Sequence, residues 1–322
     1  MPTVDLSSPP PAPPAAEGSL HALPRRVTLS LAELRHVARA AGGAPLPFET
    51  AERVAPTLEG RLGRLRGGAE DAAYAAALGS LHDPADSLAR RGLLDGDRVD
   101  DGLAGAVGLL ATPEVALDLD LAVGTARARA WHRQAGAAVA NLATADGLVF
   151  ELAWLGVDQW PLELARVAVL PEDVATAPSG VPAVLEAPYE LLDTAGEAAR
   201  AGRPDLLPVL VAQHLGALRD EDGRALDEAT SAAALTALSQ ASRGRLRALV
   251  ADVSGPRTTV AGVVSWVLLA DGWHALRPRG DDAGHRVEVA RVEPAGLATD
   301  LAPVLARVQD ETRGRAQGEV GA

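Results

Sequence analysis

The residues best suited to proton transfer or metal binding in this chain of 322 residues are seven histidines: His21, His36, His82, His132, His214, His274 and His285. They fall in separate predicted elements. No HxxxH or HExxH spacing sets two of them on one helical face to grip zinc. His132 and His274 each lie on a predicted strand, where a lone histidine is packed or hydrogen-bonded more often than it is a ligand or a base. The sequence has no cysteine, which excludes disulfides, thiolate metal sites and a cysteine nucleophile. Asp118-Leu119-Asp120 has the outline of a metal-holding DxD motif, with both carboxylates on one face of a strand. Arg129 is expected opposite Asp120, however, and an ion-pair ladder needs no metal. The acidic turns Asp95-Gly96-Asp97 and Asp220-Glu221-Asp222-Gly223 lack the sixth-position glycine and twelfth-position glutamate of a calcium loop, and read as helix-entry turns. Gly102, Gly105 and Gly108 follow no strand and precede no Lys-Ser/Thr pair, so they make no phosphate cradle. There is no GxSxG nucleophile elbow. No catalytic, cofactor or metal residue is assigned, no cofactor is expected, and the chain reads as a non-enzyme. A site without a local motif would first need a pocket gathering His132 or His274 with carboxylates.

Surface recognition is the remaining chemistry, and the element that presents it is a hairpin. From Val115 the apolar period is two: Leu117, Leu119, Leu121 and Val123 point one way, Asp118, Asp120 and Ala122 the other. Gly124-Thr125 makes a two-residue turn, and Ala126 to Arg133 returns antiparallel. Counting outward sets Ala122 opposite Arg127, Asp120 opposite Arg129 and Asp118 opposite Trp131. A sheet carrying helices from two halves on one side leaves its other face open unless a partner covers it. Arg127, Arg129, Trp131 and Arg133 are expected on that open side. Tryptophan and arginine are common interface anchors, so these four are the candidate partner-binding residues. The competing reading is a solvated charge ladder with one tryptophan packed over it. Trp154, Trp160, Trp266 and Trp273 read as core or turn residues.

Around this hairpin the chain reads as duplicated. Ala137 to Val167 aligns without a gap on Gly262 to Val292, an offset of 125 residues that superposes Ala145-Asp146-Gly147 on Ala270-Asp271-Gly272 and Leu162–Val167 on Val287–Val292. The economical reading is a repeated βα unit. Strands are expected at Ala137–Ala143, Leu148–Leu155, Leu162–Leu170, Arg245–Val253, Thr259–Leu269, Trp273–Arg277 and Arg286–Val292. A capping box, Ser30-Leu31-Ala32-Glu33, opens a helix that Gly42-Gly43 ends, and Pro45–Phe48 reads as extended. Helices are also expected at Glu70–Leu81, after Asp100, after Asp227, at Tyr189–Ala201, Leu206–Arg219 and Ala298–Asp310. The domain plan is a proline-rich disordered arm at 1–20, an α+β half at 21–178, a second at 179–310 that forms one structural unit with the first, and a flexible tail at 311–322. The fold class is α+β, two quasi-symmetric halves sharing a central antiparallel sheet packed against helical bundles.

Composition narrows the function classes. Apolar residues make up 48% of the chain, enough for a substantial core. A formal charge of −13 opposes nucleic-acid binding, which needs concentrated positive surface. Met1–Ser19 lacks the basic and apolar regions of an export signal, and no apolar run reaches the ~18 residues of a membrane span, so a cytoplasmic protein is expected.

In order and spacing, several segments resemble the EspG family of secretion-associated proteins from actinobacterial ESX (type VII) systems. They are Leu29-Ser30-Leu31-Ala32-Glu33-Leu34, Arg90-Arg91-Gly92-Leu93-Leu94, Leu109-Leu110-Ala111-Thr112-Pro113, Gly244-Arg245-Leu246-Arg247, Gly262-Val263-Val264-Ser265-Trp266, Asp271-Gly272-Trp273 and Arg291-Val292-Glu293-Pro294-Ala295. The resemblance spans roughly residues 27 to 308. It departs at Ser265–Ala270, where family members commonly carry a histidine, Asp-Thr and then Gly-Arg-Tyr. The resemblance implies a quasi-two-fold α+β fold. It also implies a cytosolic chaperone that binds the helical tip of PPE proteins in PE/PPE pairs through the sheet and the C-terminal helical bundle, keeps them soluble and directs them to export. The partner expected is thus a PPE-like substrate as a PE/PPE heterodimer, with no nucleic acid and no membrane insertion. The alternative is a non-catalytic α+β binding or regulatory scaffold that acts as a homodimer.

Overall fold

The computed structural model describes residues 25–50, 82–281 and 284–320. The strands are β1 (Arg25–Ser30), β2 (Leu94–Asp95), β3 (Arg98–Val99), β4 (Val115–Val123), β5 (Ala126–Ala135), β6 (Ala138–Thr144), β7 (Val149–Gly156), β8 (Val184–Pro188), β9 (Gly244–Asp252), β10 (Thr259–Leu269), β11 (Gly272–Asp281) and β12 (Gly284–Val292). The helices are α1 (Leu31–Ala40), α2 (Pro47–Thr50), α3 (Pro84–Arg90), α4 (Asp101–Ala111), α5 (Trp160–Ala168), α6 (Tyr189–Arg200), α7 (Leu207–Gln213), α8 (Glu228–Gln240) and α9 (Gly296–Val320). Among the described residues, ten strands form one antiparallel sheet in the order β1-β7-β6-β5-β4-β9-β10-β11-β12-β8, while β2 and β3 pair separately.

A quasi-two-fold axis runs between β4 and β9, the only strands through which the halves join in this sheet. Placing Leu117 on Leu246 carries each cross-strand pair onto another pair. Leu117/His132 falls on Leu246/Trp266, His132/Asn141 on Trp266/Ala275, Asn141/Ala153 on Ala275/Ala290, and Ala153/Arg26 on Ala290/Val184. The halves are therefore related, but not at the offset of 125. That alignment lays β6-turn-β7 on β10-turn-β11, one hairpin out of step, and lays helix α5 on strand β12. An Asp-Gly turn between alternating strands recurs wherever a hairpin recurs, so a short match reports hairpin chemistry rather than topological position.

Three apolar clusters hold the layers together. On one face, α1, α3 and α4 cover β1 and β5–β7 through Leu34, Leu88, Leu103 and Val107. On the same face at the other end, α6, α7 and α8 cover β8 and β10–β12 through Leu191, Val211 and Leu235. On the opposite face α5 and α9 pack side by side over the middle strands, with Leu164, Leu301 and Val308 against Leu119, Leu246 and Val250. Helices thus lie on both faces, not on one as expected. A Cβ on Gly262 would come within 2.9 Å of Val304, so α9 sits closely over β10 because this position is glycine.

Local signals behave as the residues dictate. Ser30 and Glu33 form the capping box in both directions, and Gly42 and Gly43 take positive φ after α1. The β4–β5 register is the one counted from the Gly124 turn, where φ is +55°. Three local readings are corrected. Leu162–Leu170 is not a strand: Trp160, Leu164 and Ala168 recur at helical spacing behind Pro161, which suits a first helical turn, and the alternation in Leu162–Val167 is too short to outweigh them. Pro47 opens a helical turn instead of continuing an extended run. Helix α9 runs on to Val320, taking in most of the segment read as a tail, since neither proline nor a paired glycine interrupts it there. Edge strands β1 and β8 are additions to the expected set, α7 stops at Gln213, and the Glu70–Leu81 helix and the 1–20 arm lie outside the described residues.

Candidate partner-binding surface

The two bundles on the shared face sit at its ends and leave its middle open. Strands β4 and β9, with the near parts of β5 and β10, form the floor. Side-chain rows cross it: Val263–Leu249–Asp118–Trp131, and one step along, Ser265–Arg247–Asp120–Arg129. The first row passes from solvent into the N-terminal bundle, with Val263 41% exposed and Trp131 7%. The second stays in solvent. Asp120 and Arg129 are 71% and 69% exposed and pair at 3.3 Å.

The four expected contact residues therefore divide. Arg127 and Arg129 lie exposed on the strip, Arg127 bending back to donate to the Gly124 and Ala126 carbonyl oxygens at 3.3 and 3.2 Å. Trp131 is not at the surface. Phe48 of α2 stacks 5.1 Å from Phe150 and lies 5.7 Å from Trp131, closing the N-terminal core over the indole. Arg133 is also covered, 8% exposed, and donates to Asp118 at 2.7 Å and to the His132 carbonyl oxygen at 3.0 Å. The correction comes from α2 and α4, whose reach over β5 cannot be read from the strand's own alternation. In their place the strip adds Arg245, Arg247, Leu249 and Val263. The alternation of β9 was visible in sequence, but its pairing with β4 joins residues more than a hundred positions apart.

A second exposed apolar area lies on the C-terminal bundle, where a cavity of ≈ 440 Å³ between α6 and α7 is lined by Ala198, Leu206, Val209 and Leu210. Val209 is 52% exposed. On the opposite face a groove of ≈ 400 Å³ beside α5 is lined by Leu119, Ala130, Asn141, Glu151 and Arg166.

Buried polar groups on that opposite face act as locks rather than reagents. Trp160 Nε1 donates to His132 Nδ1 at 3.0 Å, fixing α5 to β5. Burial, reinforced by the positive charges of Arg133 and Arg166, pushes the His132 pKa down to about 3. At the quasi-equivalent place Trp266 Nε1 donates to Asp300 Oδ2 at 2.8 Å, fixing β10 to α9. Carboxylates also recur: Glu151 and Glu163 are held by Arg26 and Arg166, and Glu288 and Asp300 by Arg277. Burial works to raise the Glu288 pKa, but the hydrogen bonds from Arg279 and Arg277 outweigh it and hold the group below its ordinary value. On the C-terminal bundle's side of the sheet, burial lowers the His274 pKa against the opposing pull of Asp271. Neither strand histidine lines the two cavities described above, although His274 Nε2 lies 3.7 Å from Asp271, and no group of three or more histidines and carboxylates placed to hold a metal ion occurs among the described residues. No helix among them is long and apolar enough to cross a membrane.

Comparison with known proteins adds the following. The model of the EspG family matches residues 75–303. The Mycobacterium tuberculosis type VII secretion system chaperone EspG5, solved in complex with a PE25-PPE41 dimer, is similar in fold with a TM-score of 0.60 and 12% sequence identity, over 87% of this chain and 96% of that one. No curated protein sequence matches.

Proposed function

The chain belongs to the EspG family, and from that premise we propose that it is a cytosolic, non-catalytic chaperone of a type VII secretion system, which binds the helical tip of a PPE-like protein within a PE/PPE pair and holds it soluble for export. The observation that carries this reading is the open strip between the two bundles. It combines exposed apolar side chains, Val260 and Val263, with a charged rim on the part of the sheet that lies between the two bundles. A chaperone for one helical tip needs such a shaped, partly apolar surface and no reactive group. Arg127 and Arg129 belong to the contact surface in this reading, while Trp131 and Arg133 support the strand beneath it. The apolar area on the C-terminal bundle supplies a second point of contact. The two halves are quasi-symmetric in backbone but unlike in surface, which suits one unsymmetrical partner better than a second copy of the chain.

The test is co-expression with each PE/PPE-type pair encoded in the same genome, followed by sizing with mass measurement. One pair is expected to become soluble and to elute with this chain at one copy of each. Pairs equally soluble with and without the chain, or a chain that elutes only with itself, would refute the reading.

A further inference from the structure

The exposed strip has a sign of charge opposite to that of the whole protein. The chain carries a formal −13. Yet β4, β5 and β9 present five arginines on this face, Arg127, Arg129, Arg133, Arg245 and Arg247, against two aspartates, Asp118 and Asp120. Arg133 takes Asp118 and Arg129 takes Asp120. Among the described residues no carboxylate pairs with Arg127, Arg245 or Arg247. All three are exposed, and Arg245 and Arg247 stand in register with Ala122 and Asp120, next to the Gly124 turn. Strand β10, which closes the strip on the other side, has no charged residue from Thr259 to Leu269 and offers Val260 and Val263 instead.

Arg127 and Arg245 flank Ala122 from the strands on either side of β4, and Arg247 follows two residues along β9, so three like charges share one face and repel one another. The one carboxylate beside them, Asp120, is already paired with Arg129, which leaves the three arginines to be neutralised from outside. A concentrated positive area on an acidic protein also attracts one class of partner while the rest of the surface repels it. We propose that the occupant of this strip is an acidic helical tip, which sets carboxylates against Arg127, Arg245 and Arg247 and an apolar side chain against Val263 and Leu249, and that Arg245 and Arg247 select among otherwise similar partners by charge. This deepens the chaperone reading and rests on it. The strong overall negative charge is the reason for favouring an acidic protein segment over nucleic acid, since a phosphate backbone running past the strip meets that charge on either side.

The experiment uses the full chain and the PE/PPE-type pairs of the same genome, sorted by the net charge of their tips, with binding measured at 50 and 300 mM sodium chloride as chosen conditions. Pairs with net-negative tips are expected to bind, and tighter at low salt. The double change Arg245→Glu/Arg247→Glu is expected to weaken that binding on the order of tenfold or more at low salt and to admit net-positive tips. Arg35→Glu, on α1 away from the strip, applies a charge change of the same kind and is expected to leave binding as it was. Because Glu beside Asp120 brings its own repulsion, Arg245→Gln/Arg247→Gln is measured in parallel, and each variant is compared with the parent by thermal unfolding. Binding that is indifferent to tip charge and to both double changes would overturn the proposal while leaving the chaperone reading intact. Failure of every pair to bind would remove both, and salt-sensitive binding of a DNA duplex tighter than any pair would replace the acidic tip with nucleic acid.

Discussion

The same middle strands look entirely different from their two sides. Leu119 and Asp120 are neighbours on β4, yet Leu119 is 2% exposed beneath α5 and α9, while the Asp120 side chain is 71% exposed on the open strip. On the covered side the two halves are locked to each other by apolar packing and by the Trp273 indole, which donates to the Ala168 carbonyl oxygen at 2.8 Å, while the Trp160 and Trp266 indoles fix each half's helix to its own strand. On the open side the sheet carries arginines without counter-charges and two exposed valines. One side holds the quasi-symmetric pair together. The other is free to differ from its homologous half and to meet a partner. Changes on the covered side should therefore cost stability, and changes on the open side should cost recognition.

The largest effect is expected from Trp266→Ala. It removes a fully buried indole from the covered core and the hydrogen bond to Asp300, and should lower unfolding free energy by about 4 kcal/mol in urea titration. A loss under about 1 kcal/mol would mean that the covered side is not the lock described.

Next comes acid. The unfolded chain protonates His132 near its ordinary pKa of ~6.5, whereas the folded chain resists until about 3. Between those values the unfolded state binds more protons, so stability falls as pH drops from 6.5, by about 2 kcal/mol at pH 5 from this group. His274, also lowered, adds to the fall in the same direction. His132→Asn keeps an acceptor for Trp160 but does not titrate, and should reduce the slope of stability between pH 6.5 and 5. An unchanged slope would contradict the burial described.

The smallest effect is expected beside these. Asp120→Ala breaks an exposed ion pair with Arg129 and should change stability by less than about 0.5 kcal/mol in the same urea titration. A loss as large as that of Trp266→Ala would erase the contrast between the faces.

How legible this was in the sequence follows from how far each contact reaches along the chain. The β4–β5 hairpin was readable to the residue, because one glycine turn fixes every pair outward from it. The Ser30 cap and the helix before Gly42-Gly43 were readable for the same local reason. Helix α5 reads as a strand in sequence because six alternating residues, Leu162 to Val167, suit one, and only Trp160 and Ala168 outside that window settle the period. The duplication was real in kind and wrong in register, since an Asp-Gly hairpin matches any other Asp-Gly hairpin. Placing His132 on Trp266 instead needs the sheet order. Strand alternation points Trp131 the same way as Arg129, and what covers it is Phe48, more than eighty residues earlier, together with α4. The arginine pair of β9 became part of the candidate site once β9 was known to lie against β4.

The claim that the open strip is where the partner sits can be tested directly by placing a photo-activatable cross-linking residue at Val263 on the strip or at Leu162 on the outer side of α5, both exposed, and irradiating the chain with its co-purifying PE/PPE-type pair. The account predicts a cross-link to the PPE-like protein from position 263 and none from 162. A cross-link from 162 alone would place the partner on the other face and contradict it.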